Sequence, residues 1–271
     1  DKLDEMFRKD RADFESKWND MKIIIEYGML TEDKFFEKAK KFAMYADTDG
    51  GLHTFEAYLE SIKEHQTDKD KKTVVLYASN KDAQHSYIQN AKSKGYSVLL
   101  LDSPLTSHLL QKLEQEHENT TFARVDSDLI DNLIKKDETR VAKLSDKQKE
   151  ELKTRLETIV PTEKFTLKLE DMDSTEAPLI ITVPEFMRRM KEMQMTGGGG
   201  MMGMGDFPDM YDLIVNANHP LASKILDTED ADARGTAVNQ ALDLAKLQQN
   251  LLHGEELTAF IARSYEMLGN E

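Results

Sequence analysis

The apolar pattern of this chain changes period at Lys72, and that change constrains the fold more than any other feature. Upstream, Leu3, Met6, Phe7, Phe14, Trp18, Met21 and Ile25 recur at spacings of three, four or seven, which places them on one helical face. Downstream, Thr73-Val74-Val75-Leu76-Tyr77-Ala78 is a short run of β-branched and aromatic residues. Asp82 to Lys94 then reads as a helix ended by Gly95, Tyr96 to Leu101 as a strand covered on both faces, and the residues around Leu109, Leu110 and Leu113 as another helix. Thr121-Phe122-Ala123-Arg124-Val125 reads as a third strand. Strands alternating with helices predict a small parallel sheet of α/β type.

Elsewhere the pattern predicts helices up to about residue 65, with Gly28 as a C-cap and Thr31 as the N-cap of a second helix. Asp47-Thr48-Asp49-Gly50-Gly51 reads as a loop, and Thr54 as the start of a helix carrying Tyr58, Leu59 and Ile62. Residues 126–144 are charged and weakly patterned, as an interdomain connection would be. Ser145-Asp146-Lys147-Gln148 spells a capping box for a helix that stops at Pro161. Strands are expected at Phe165–Leu169, Leu179–Val183 and Tyr211–Asn216, and helices at about 236–252 and 255–268. The first of these two is apolar on two faces: Val238, Ala241, Leu242, Ala245 and Leu252 on one, Leu244, Leu247 and Leu251 on the other. A lone hairpin cannot cover both, so a bundle with a second copy of the chain is expected. The residues assigned to that contact are Val238, Leu242, Ala245, Leu252, Leu257, Phe260, Ile261 and Tyr265.

Charge and composition exclude several functions. The 271 residues carry a net charge of -15, split into -4 over residues 1–125 and -11 over 126–271. No basic patch offers itself to nucleic acid or to anionic lipid. With no cysteine there is no disulfide framework and no thiolate metal site. The apolar runs are too short to span a membrane, and no signal peptide is expected. Asp47 to Gly51 lacks the bidentate Glu of a calcium loop, since Tyr58 stands at the twelfth position. Gly197 to Gly200 is followed by neither Lys-Ser nor Lys-Thr, so a flexible linker is expected and not a phosphate loop. Asp102, Ser103 and His108 follow a strand end, where α/β folds place ligands, but turn and cap roles account for such residues. No catalytic residue and no metal ligand is assigned.

Eight of the 14 methionines fall between Met187 and Met210, beside six of the 13 glycines. Pro184 can open a helix there. Phe186, Met190 and Met193 stand at i, i+4 and i+7 with Met187 beside them, and Arg188, Arg189, Lys191 and Glu192 take the other side. Methionines commonly fill core gaps, but they are also overused on adaptable binding surfaces. The adjoining glycine run favours exposure.

Several segments resemble the ninety-kilodalton heat-shock protein chaperones in their bacterial form. Phe14-Glu15-Ser16-Lys17-Trp18 through Tyr27-Gly28 is similar to that family's aromatic helix. Thr54 to Glu64, followed by Val74-Val75-Leu76-Tyr77-Ala78-Ser79, is similar to its most recognisable middle-domain stretch. Gly95 to Pro104 matches its next strand and turn, and Tyr211 to Leu221 resembles a later strand and its Asn-Pro-Asp-His-type turn. The resemblance implies part of a middle domain at 1–125, helical over 1–65 and α/β/α over 72–125. A C-terminal dimerisation domain follows at 126–271, with a short three-stranded sheet, a helical bundle and an amphipathic client helix at 184–196. Overall this is an α/β plus α+β chain. The resemblance further implies a stress-response chaperone of the bacterial cytoplasm that forms homodimers and binds non-native clients. It places client contacts at Phe186, Met187, Met190, Met193 and Met195, and at His108 and Gln111. ATP and Mg would belong to a domain of the full-length protein that this segment lacks, so no cofactor and no ATPase activity are expected of the chain itself. The chain does not start with Met, as an excised piece would not, and it ends without the acidic pentapeptide that recruits helical-repeat cochaperones. The alternative is a structural dimerisation adaptor, which requires the methionine helix to be buried against its own domain.

Overall fold

The computed structural model describes residues 2–196 and 209–269. Residues 197–208, which include the linker expected at Gly197 to Gly200, lie outside them. The described chain divides into two compact units.

The first unit starts with α1 (Lys2–Lys9), α2 (Arg11–Ser16), α3 (Trp18–Thr31) and α4 (Asp33–Ala39). Phe14, Trp18, Met29, Phe36 and Phe42 from this region are buried in one core, with Phe7 and Phe42 set edge-on to Phe14. Gly28 does not cap a helix: it lies inside α3, where an added Cβ would stand 2.9 Å from the Phe35 ring. Close approach of α4 to α3 is what requires the glycine. Nor does Thr31 cap α4, because its hydroxyl bonds back to the Tyr27 carbonyl, and the cap position falls to Glu32.

A hairpin of β1 (Met44–Ala46) and β2 (Leu52–Thr54) encloses the Asp47–Gly51 loop. The Asp47 carboxylate accepts from the Asp49 and Gly51 amides and from His53, so its oxygens tie the loop together. After α5 (Phe55–Ile62) come β3 (Thr73–Ala78), α6 (His85–Ser93), β4 (Val98–Leu100), α7 (Thr106–Glu116), β5 (Thr120–Arg124) and α8 (Ile130–Leu133). The sheet is all parallel in the order β4-β3-β5. β3 is central and almost wholly buried, as its continuous apolar run requires. Residues 126–137 are not a free connection. Leu129, Ile130 and Ile134 are buried, and the chain is pinned there by bonds from Lys69 N–H to the Lys135 carbonyl and from Lys136 to the carbonyls of His65 and Thr67. The first unit therefore continues to Asp137, beyond the boundary expected at 125.

The second unit begins at Glu138. Its α9 (Asp146–Glu157) opens on the expected capping box: the Ser145 hydroxyl accepts from the Gln148 amide, and the Gln148 side chain accepts from the Ser145 amide. β6 (Phe165–Glu170) and β7 (Leu179–Thr182) follow. The chain then forms α10 (Glu185–Thr196), which groups with the first unit, and returns as β8 (Tyr211–Asn216), α11 (Pro220–Asp227), α12 (Ala231–Gln248) and α13 (Gly254–Gly269). β8 is the middle strand, parallel to β6 and antiparallel to β7. The sheet face carrying Phe165, Leu167, Ile181, Leu213 and Val215 packs with α9 and α12 into the second core.

Candidate functional site

The residues of α10 divide into two faces, and the structure assigns them the reverse of the usual roles. Glu185, Arg188, Arg189 and Glu192 stand at i, i+3, i+4 and i+7 and face the first unit. Glu185 sits in the first turn, where the helix dipole favours a carboxylate. One of its oxygens accepts from the Tyr77 hydroxyl at 2.8 Å, from Arg188 at 2.8 Å and from Arg189 at 2.7 Å. Its other oxygen accepts from the backbone N–H of Arg124 at 3.2 Å. Arg189 reaches Glu114 on α7 at 2.9 Å and the Phe122 carbonyl of β5 at 2.9 Å. Arg188, whose side chain is only 8% exposed, bonds Glu192 at 2.6 Å and the Tyr77 hydroxyl. Glu192 accepts from Ser107 at the start of α7.

Burial alone would push the Glu185 carboxyl up, but the charges of Arg188 and Arg189 and their hydrogen bonds outweigh it and hold it below the usual carboxylate range. Burial and the neighbouring Glu185 push the Tyr77 hydroxyl well up, so it remains a donor. Charges withdrawn from water persist only when paired, and Glu185, Arg188 and Arg189, whose side chains are 22%, 8% and 16% exposed, are each ion-paired here.

The apolar face points away. Phe186 is 71% exposed, Met187 and Met190 are exposed and Met193 is half-buried; Met195 is 80% exposed but stands one heptad on from Arg188, on the side of Tyr77, Arg188 and Glu192. The helix is thus both packed and projecting: it docks by its ions and leaves its aromatic and thioether groups in solvent. The adaptor alternative requires buried methionines here, and Met187, Met190 and Met195 are not buried.

His108 and Gln111 lie on α7 and line a groove of about 720 Å³ with Tyr27, Leu30 and Leu105. The groove reaches the end of α10, where His108 Nε2 stands 2.9 Å from the Thr196 hydroxyl. Beside it, α3 exposes Ile23, Ile24 and Tyr27, three large apolar groups that the helical pattern alone does not single out. Their i, i+1, i+4 spacing was visible, but nothing in it distinguished an outer face from an inner one. At the end of β4, Asp102 pairs with Lys22 at 2.6 Å, and the Ser103 hydroxyl caps the Leu105 amide. Asp102, Ser103 and His108 therefore each have separate partners and make no common catalytic group.

Several of the residues expected at a contact with a second copy are covered by the chain itself. Val238, Leu242 and Ala245 are enclosed in the second unit's own core, because α12 packs that stripe onto β7 and its neighbours, and Leu252, in the loop after α12, is buried as well. They cannot also meet another chain. Leu257 and Phe260 are half-buried, whereas Ile261 and Tyr265 are exposed. Among the described residues, the large apolar groups left exposed there are Leu244 and Leu247 on α12 with Ile261, Tyr265, Met267 and Leu268 on α13. The two helices are fixed to each other by Arg263, which bonds Gln240 and Asp243, and by Lys246 with Glu256. Among the described residues no helix is long and apolar enough to cross a membrane.

The comparisons with known proteins agree with the resemblance. The family model described as Hsp90 protein matches residues 1–269. The chaperone protein HtpG of Bacteroides thetaiotaomicron is 36% identical over 99% of this chain, as is that of Bacteroides fragilis. The chaperone protein HtpG of Porphyromonas gingivalis is 41% identical over 92% of the chain. The chain spans about half the length of the Bacteroides relatives, 49%, and the match covers 36% of the Porphyromonas protein.

Proposed function

The chain belongs to the Hsp90 protein family, and from that membership we propose that it is the client-holding and dimerising part of a bacterial cytoplasmic chaperone. Non-native proteins meet it on the outer face of α10, at Phe186, Met187 and Met190, with Met193 at the margin and the exposed Met195 at the end of the helix. One observation carries this reading: the helix is docked by its charged face, so its adaptable apolar groups are left uncovered. Unbranched thioethers adjust to many side-chain shapes, which suits a surface without one fixed partner. The groove at His108 and Gln111 extends the surface toward Tyr27 and Leu30. Two copies joined through α12 and α13 would offer two such surfaces to one client, which raises avidity without new contacts. ATP binding and turnover belong in this reading to the part of the relatives that the chain does not span.

Replacing Phe186 and Met190 together by Ser tests the client surface. Suppression of aggregation of a heat-denatured client should fall severalfold, with the helical circular dichroism unchanged. Undiminished suppression by a folded double variant would refute the assignment.

A further inference from the structure

β5 is an edge strand, since β3 is its only neighbour in the sheet among the described residues. An edge leaves a row of backbone donors and acceptors unpaired. Here side chains take the place of a fourth strand. The Phe122 N–H is taken by Glu114 at 2.8 Å, the Phe122 carbonyl by Arg189, and the Arg124 N–H by Glu185. Two of these three caps come from α10.

Both functions of α10, exposing an apolar face and covering the β5 edge, depend on the same ions. The helix lies in sequence between two stretches of the second unit, yet its polar partners Tyr77, Ser107, Glu114 and Arg124 are all in the first. Among the described residues no apolar cluster seals it there: none of its own residues is fully buried. Hydrophobic burial normally fixes a surface helix. Here charge-assisted hydrogen bonds replace it, and Glu114 and Glu192 are exposed enough for salt to reach them.

We propose that Glu185, Arg188, Arg189 and Glu192 form an ionic latch that holds α10 against β5 and α7, and that its opening releases the apolar face and bares the β5 edge together. The link to client holding rests on the function proposed above; the latch itself does not. Closed, it presents Phe186, Met187 and Met190 in one fixed arrangement. Open, it frees the helix to follow a client and leaves the Arg124 N–H and the Phe122 carbonyl for an extended segment of that client to pair with.

Amide hydrogen exchange on the 271-residue chain tests it. Arg189→Gln should speed exchange across 185–196 and at the Arg124 amide by about tenfold, with the β3 amides unchanged. Arg189→Lys should recover part of the protection. Raising salt from about 0.05 to about 1 M should speed the same amides in the unaltered chain and have little further effect in Arg189→Gln. If Arg189→Gln disturbs the sheet, Glu114→Gln is the second variant, because its amide oxygen can still accept the Phe122 N–H. Exchange over 185–196 that ignores both variants and salt overturns the latch. Should the latch respond while Phe186→Ser with Met190→Ser leaves aggregation suppression intact, the client surface falls and the latch stands. The opposite pair of results removes the latch alone.

Discussion

Asn218 shows how much one buried amide can hold in place. Its side-chain nitrogen donates to the carbonyls of Val141 at 2.8 Å and Met172 at 2.9 Å, and its oxygen accepts the Lys143 N–H at 2.9 Å. Three segments of the second unit are thereby fixed by a residue only 7% exposed. Asn218→Ala should lower the stability of that unit by about 2–3 kcal/mol, the cost of leaving buried polar groups unpaired. Asn218→Asp should cost at least as much, because a carboxylate would face two carbonyls with nothing to donate. Thermal melting of both variants checks this, and an Asp variant as stable as the unaltered protein would rule out the donor role. In the sequence this residue sits in a turn-like stretch whose family likeness was visible, but its partners lie 46 to 77 positions away, and no local pattern encodes them. Gly28 was misplaced for a related reason. A glycine after a helical run reads as a cap, while the cause, contact with the Phe35 ring, belongs to the next helix.

At the scale of elements, the helical character of residues 1–65 and the three parallel strands were legible, but the run from Leu3 to Ile25, expected on one helical face, is split into α1, α2 and α3 at Asp10 and Lys17. The three parallel strands, the capping box of α9 and the helix after Pro184 stand where the pattern puts them. The hairpin β1–β2 escaped because three-residue strands carry too few alternations to register. α10 was read as amphipathic, but amphipathicity does not say which face docks. Its charged residues repeat with helical spacing as regularly as its apolar ones, and only Tyr77, Glu114 and Arg124, far off in sequence, decide the matter. The chemistry of this docking predicts an acid response. In the folded state Glu185 lies below its ordinary value of 4.5, because Arg188 and Arg189 outweigh the effect of burial. A depressed carboxylate contributes stability that is whole above its unfolded value and is lost as pH falls through the folded one. Of the groups facing it, both arginines stay charged and the Tyr77 hydroxyl stays protonated, so the loss of the Glu185 charge is uncompensated. α10 should therefore loosen as pH falls below the ordinary carboxylate range, before the sheet unfolds. The methyl NMR signals of Met187, Met190 and Met195 should shift there, and Glu185→Gln should already show the loosened signals at neutral pH. Signals that stay fixed until the whole unit unfolds would refute it.

For the whole molecule, the decisive question is which face of the terminal helices meets a second copy. The two-faced pattern of α12 was visible in the sequence, and so was the need for two sets of neighbours. Which face the chain covers for itself was not, because one stripe is Val, Ala and Leu and the other all Leu, so both are apolar and neither is marked as the inner one. The structure separates them by burial. Leu242 is enclosed in the second core, whereas Leu244 is 53% and Tyr265 71% exposed. The two positions should fail in different ways. Leu242→Ala opens a cavity and should cost about 2–5 kcal/mol of unfolding free energy. Leu244→Glu with Tyr265→Glu removes no core contact and should leave the melting of a monomer within about 0.5 kcal/mol of its starting point. It would instead set like charges on both sides of a two-fold contact, where each copy meets the same patch of the other. The net charge of -15 already opposes association, so such a contact depends on its apolar groups to outweigh repulsion. Light scattering at micromolar concentration should give twice the 31.0 kDa chain mass for the unaltered protein and the single mass for the double variant, with circular dichroism unchanged. A double variant that still scatters as a dimer would move the contact away from α12 and α13, and with it the paired client surfaces that the proposed function needs.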